Sequence, residues 1–203
     1  MAPVKPITRR EIDALIAPGY VIAVTYLKRD LTAEVIAFGE EGEATHALCC
    51  RGGLDIYEAT ALGVYETNLH NYLRANCRLT VRRSKAVPFP SWEQAKKATD
   101  YWDARVLDPY AWSMIFGSIP ILFAHKVIGL FSKRLADVVV RMMPNLLASS
   151  TLSTCAEIGG RGIRQFDPVV FVKWFLDSVN PEIMRTDDSL ETVIILDGMT
   201  LID

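Results

Sequence analysis

The feature that most constrains the fold is the uneven distribution of strand-like and helix-like segments along the chain. Runs rich in β-branched and aromatic residues crowd into the first 83 positions: "YVIAVTYL" (20–27), "AEVIAFG" (33–39), the two halves of "HALCC-RGG-LDIYE", and "NCRLTVRR" (76–83). Helical spacing dominates afterwards. "PSWEQAKKATDYWDARV" opens with Ser91 and Gln94 in capping-box spacing, and Pro120 and Pro144 divide an apolar helical region between 110 and 148. "DPVVFVKWFLDSV" (167–179) reads as a buried helix with Asp167 as cap and Pro168 at its first position. A strand in "TVIILDG" closes the chain. Sheet first and helices later is an α+β order, a small antiparallel sheet packed against helices. One helix precedes the sheet: Thr8 and Glu11 have capping-box spacing, Ile12, Leu15 and Ile16 form an apolar face, and Pro18-Gly19 ends it. No internal repeat or low-complexity linker interrupts residues 1–203, so a single domain is expected.

Bulk properties exclude some functions. With half its 203 residues apolar and a formal charge of −2, the chain is globular and is not built for nonspecific nucleic-acid binding. Its one dense basic run, "RLTVRRSK" (78–85), reads as a solvated strand edge. The four cysteines, Cys49, Cys50, Cys77 and Cys155, lack zinc-type CxxC spacing. No phosphate loop, dinucleotide fingerprint or HExxH is present, so no cofactor or metal is expected. "MAPVKPITRRE" has no hydrophobic signal core, which predicts a cytoplasmic protein with free thiols; delivery by lysis or a virion stays open. "MIFGSIPILFAHKVIGLF" (114–131) is apolar, but Gly117, Pro120, His125, Lys126 and Gly129 interrupt the twenty or so apolar residues that a spanning helix wants. It reads as buried, with contact to a membrane surface as the alternative. The oligomeric state is not encoded.

The hairpin carries the first chemical candidate. With Arg51-Gly52-Gly53 as a three-residue loop, Cys50 faces Leu54, Leu48 faces Ile56, and His46 faces Glu58. Facing residues share one side of the sheet with Cβ atoms about 4.5–5.5 Å apart. A two-residue loop would send Glu58 to the other side. A carboxylate beside an imidazole fixes the ring's tautomer and steadies its protonated form; the plainer reading is a buried histidine satisfied by its neighbour. Asp55 falls on the opposite strand face. His70 in "NLHNYL" reads as an exposed helical position, and His125 as a core residue.

The second candidate is Cys155 in "STCAE". Thr154 and Glu157 have capping-box spacing, which makes Cys155 the first helical residue. Thiols at helix N-termini have their pKa lowered from about 8.5 to roughly 3.5–7.5, and the unbonded N–H groups there can receive an oxyanion. Glu157 would act the other way. The plainer reading is a small buried hydrophobe.

Taken in order, "LIAPGYVIAVTY", "ATHALCC", "DIYEAT", "YAW" (110–112), "STCAEI" and "MRTDDSLETV" resemble the circularly permuted papain-like cysteine hydrolases. The resemblance is to the YiiX-like branch of the NlpC-type superfamily, related to the lecithin:retinol acyltransferases, in which a strand histidine precedes the nucleophile. It implies a permuted papain-like fold, with Cys155 as nucleophile, His46 as general base and Glu58 orienting the ring. Tyr20 stands where that family usually has an acidic residue, and Ala156 where serine is common. "GGRG" (159–162) is poor helix material and predicts a short or broken nucleophile helix. The activity implied is hydrolysis of an amide or ester through a thioester, first as a peptidase or amidase on a peptide substrate. A lipid acyl hydrolase or acyltransferase is the alternative, and a non-catalytic binding module that retains the fold is the rival from another class.

Overall fold

The computed structural model describes residues 6–27, 42–60, 62–73, 77–109, 132, 155–170, 181–197 and 200–202. The strand expected at 33–39, the helical region 110–148 with His125, the apolar segment 114–131, the cap Thr154 and most of the helix expected at 167–179 lie outside them.

Thr8 does cap α1 (Arg9–Leu15): its hydroxyl accepts from the Glu11 amide at 3.2 Å, while its own amide donates to the Glu11 carboxylate at 2.7 Å. Pro18 and Gly19 turn the chain, with Gly19 at φ +91°, into β2 (Val21–Tyr26). The central hairpin is β3 (His46–Gly52) and β4 (Asp55–Thr60). β5 (Gly63–Asn68), α2 (His70–Leu73) and β6 (Cys77–Ser84) follow. After the sheet come α3 (Trp92–Asp103), capped by Ser91 and Gln94 as expected, then α4 (Cys155–Arg164), α5 (Pro181–Thr186) and β7 (Leu190–Asp197). A short parallel pair joins β1 (Pro6–Thr8) to β8 (Thr200–Ile202).

The main sheet has the order β5-β4-β3-β2-β6-β7 with every neighbouring pair antiparallel, so the α+β expectation holds. β5 goes unread in the sequence because Glu66, Thr67 and Asn68 break its apolar alternation; as an edge strand it needs little more than the pairing that β4 supplies. The basic run is not a sheet edge. β6 lies between β2 and β7, and Arg82 is buried. Its guanidinium donates to the carbonyls of Asp187 and Leu190, both at 2.7 Å, and to that of Arg185, tying the sheet to the turn after α5.

Both faces of the sheet are covered, so the strands read as nearly continuous apolar runs. One face carries Val21, Ala23, Ala47, Cys49 and Tyr57 and packs against Ala98 and Trp102 of α3, Ile163 of α4, and Ile183 and Met184 of α5. The other carries Ile22, Val24, Leu48, Cys50, Ile56, Leu79 and Val81 and packs against Ile12 of α1 and Tyr72 and Leu73 of α2.

"GGRG" does not break α4. The helix runs unbroken from Cys155 to Arg164, because Gly159 and Gly162 are contact points. A Cβ on Gly159 would lie 2.5 Å from Met184 Cε and 3.3 Å from Cys49 Sγ, and one on Gly162 would overlap the Trp102 indole. The missing side chains let the helix backbone sit directly on the sheet and on α3.

Candidate active site

The hairpin turns differently from the expectation, yet delivers the expected contact. β3 continues through Arg51 and Gly52, and Gly52 pairs with Asp55, leaving Gly53-Leu54 as a two-residue loop. Gly53 takes φ +57° at the first loop position, where a hairpin turn requires a positive angle. By itself that loop would put Glu58 on the wrong face. The register then shifts between Cys50 and Gly52: Arg51 bulges out, and Cys50 pairs with Ile56 and Cys49 with Tyr57. The bulge restores the facing that the loop would have inverted. In this register His46 is diagonal to Glu58, not opposite it, a distance that long side chains bridge. His46 Nε2 lies 3.6 Å from Glu58 Oε2, and each side chain is 17% exposed. The bulged Arg51 pairs outward with Glu66 and with Asp103 at 3.7 Å.

Tyr72, which the sequence reading passed over, completes the cluster. Its hydroxyl donates to the same Glu58 Oε2, and its ring lies against the His46 imidazole with centroids 5.9 Å apart and planes 15° from parallel. Burial pushes the Glu58 carboxyl upward, but the neighbouring His46 imidazole and the Tyr72 hydroxyl outweigh it and hold the pKa below the usual value. The signal that could have found Tyr72 is its place on the one helical turn between β5 and β6. His70, on the same turn, is half-buried and not exposed as expected. Asp55 is exposed and lies on the other strand face from Glu58, as read.

Cys155 is the first residue of α4. Its side chain lies outside the described residues, so the structure gives the helix start and not the thiol. The course of α4 follows from its contacts: Gly159 packs on Val21 and Cys49, whereas Phe166, just past the helix, packs on Gly19. The helix therefore runs antiparallel to β2, and its N-terminus points toward the end of the sheet where β3 begins with His46. It lies on the α3 and α5 side, while the His46 and Glu58 side chains face α2. The structure thus brings His46, Glu58 and Tyr72 together, and sets the start of α4 at the same end of the sheet across β3.

The remaining thiols are quiet. Cys49, Cys50 and Cys77 are buried thiols outside any disulfide. Burial drives the Cys50 pKa far up and, with help from Asp197, pushes Cys77 up to about 11. Tyr20 is buried, donating its hydroxyl to the Pro88 carbonyl at 3.0 Å and lying beside Arg83.

No protein-family model and no curated protein matches the chain. Among solved structures it is similar to one described as metalloprotein yiiX from Escherichia coli O157:H7, DUF1105, with a TM-score of 0.55 and 16% identity over 89% of this chain and 97% of that one. A likeness at that identity speaks for the fold. Among the described residues no three His, Cys, Asp or Glu side chains converge as a metal donor set; His46 and Glu58 would supply two donors, so these residues do not by themselves fit a metal centre. Among the described residues, no helix is long and apolar enough to cross a membrane.

Proposed function

We propose that the chain is a permuted papain-like cysteine hydrolase of the YiiX-like kind. In this reading Cys155 is the nucleophile, His46 the general base and Glu58 the residue that orients the imidazole. The observation that carries it is the half-buried pair of Glu58 with His46, the first residue of β3, at the end of the sheet toward which α4 presents its first residue. His46 takes the Cys155 proton and the thiolate adds to the substrate carbonyl, with helix-start N–H groups available to the oxyanion. Collapse of the adduct expels an amine or alcohol, which leaves with the proton from His46, and a thioester remains. Water, deprotonated by the same imidazole, then releases the acid and regenerates the thiol. A peptide amide is the first substrate class; a lipid acyl ester is the alternative, favoured by the apolar 114–131 segment.

One observation favours a non-catalytic binding module instead: the His46 ring faces α2, across the sheet from α4. Thiol labelling separates the two readings without a substrate. Iodoacetamide at about pH 6, well under the ordinary thiol value near 8.5, should modify Cys155 alone, since the other three thiols are buried. His46→Ala should slow that labelling at least tenfold. A Cys155 no faster than a free thiol, or one indifferent to His46, would remove the catalytic reading. With a substrate in hand, Cys155→Ala should abolish turnover, and Glu58→Gln should cost less than His46→Ala.

A further inference from the structure

We infer that Tyr72 is the positioning residue of this site, holding the Glu58 carboxylate against the edge of the His46 imidazole. The phenol belongs to a short turn that is itself anchored. The Tyr72 amide donates to the Leu69 carbonyl at 2.9 Å, and the Tyr72 carbonyl accepts from Cys77 Sγ at 3.1 Å. Between those two bonds the ring is buried, 8% exposed. Its hydroxyl and His46 Nε2 converge on one carboxylate oxygen, Oε2.

The geometry assigns unequal tasks to these two partners. At 3.6 Å the Nε2–Oε2 approach is longer than an ordinary hydrogen bond, so the ion pair holds the carboxylate only loosely. The phenol is the closer partner. Three side-chain torsions separate the Glu58 carboxylate from its strand, and the Tyr72 bond selects the rotamer that leaves Oε2 at the imidazole edge. The near-parallel ring limits tilting of the imidazole on the side that faces α2. Tyr72 thus acts on His46 through Glu58, with the ring as a backstop. Among the described residues, the other titratable side chains around the pair are Tyr65, opposite Glu58 on β5, Tyr26 and Cys77, paired across β2 and β6, and His70 on α2.

The inference rests on the catalytic reading for its role in turnover, but its physical content can be measured without activity. Tyr72→Phe keeps the ring and removes the hydroxyl. NMR titration of the His46 imidazole should then give a pKa lower by about half a unit or more, as the carboxylate is freed to swing toward water. Glu58→Gln should lower it at least as far, and Tyr72→Phe should add nothing in the Glu58→Gln background. A His46 titration that stays put or rises in Tyr72→Phe, or a shift that persists without the Glu58 carboxylate, would overturn the assignment. Iodoacetamide labelling is the second arm. Tyr72→Phe should slow Cys155 labelling by part of the His46→Ala effect and should have no effect once His46 is alanine. If His46→Ala leaves labelling unchanged, the proposed function fails, and the titration still decides the role of Tyr72.

Discussion

At the scale of single residues, the site depends on where one carboxylate spends its time. Glu58 is largely buried and its folded pKa lies below the ordinary glutamate value near 4.3, so it favours the folded state when ionised. That contribution is complete above about pH 4.3 and is lost as pH falls through the folded value. Glu58→Gln should therefore destabilise the protein by about 1.5–3 kcal/mol at pH 7, the worth of a hydrogen bond to a charged group. The gap to the unaltered protein should close as the pH is lowered below 4. Urea denaturation of both proteins from pH 7 to 3.5 measures it; a gap that stays constant with pH would mean that Glu58 acts through packing and not through charge. Strand alternation put His46 and Glu58 on one face, but through a three-residue loop that the hairpin does not have; the Arg51 bulge is what brings them together. Tyr72 was not legible, because its part in the site depends on a turn that folds back over the sheet after β5.

At the scale of elements, α4 shows how a local propensity can have the wrong sign. Gly159 and Gly162 cost the helix about 1 kcal/mol each relative to alanine, so on an exposed face Gly→Ala would stabilise. Here Gly162→Ala drives a methyl into the Trp102 indole, a fully buried ring packed on Tyr57. It should destabilise by about 1–3 kcal/mol, the usual cost of overpacking. Gly159→Ala meets the mobile end of Met184 and should cost less. Urea midpoints for the two variants test the order; a stabilised Gly162→Ala would show that α4 does not sit on α3 as described. The β3–β4 hairpin teaches the same lesson about register. "RGG" announces a turn, but whether the loop has two residues or three depends on whether Arg51 bulges. That choice is made by what lies beyond the turn, where Arg51 reaches Glu66 and Asp103 while Cys50 and Ile56 stay in the core.

At the scale of the whole molecule, Arg82 links the sheet to the helical layer. It reaches three backbone carbonyls between 185 and 190, more than a hundred positions away. Arg82→Met fills similar volume but leaves those acceptors unsatisfied, and it should destabilise by about 3 kcal/mol or more. A lowered urea midpoint with unchanged slope would register the loss; a neutral result would mean that water replaces the guanidinium. The same residue marks the boundary of what could be read from the chain. The sequence by itself determined the capping boxes at Thr8 and Ser91, the segments of β2, β3, β4, β6 and β7, the α+β order and the start of α4 at Cys155, because each is written in residues close together along the chain. Only the tertiary structure decided that β6 is interior, that Arg51 is extruded, that "GGRG" is a packing surface, and that Tyr72 closes over His46 and Glu58. Those outcomes rest on side chains 14 to more than 100 positions apart competing for the same space, and no local period along the chain records which of them prevails.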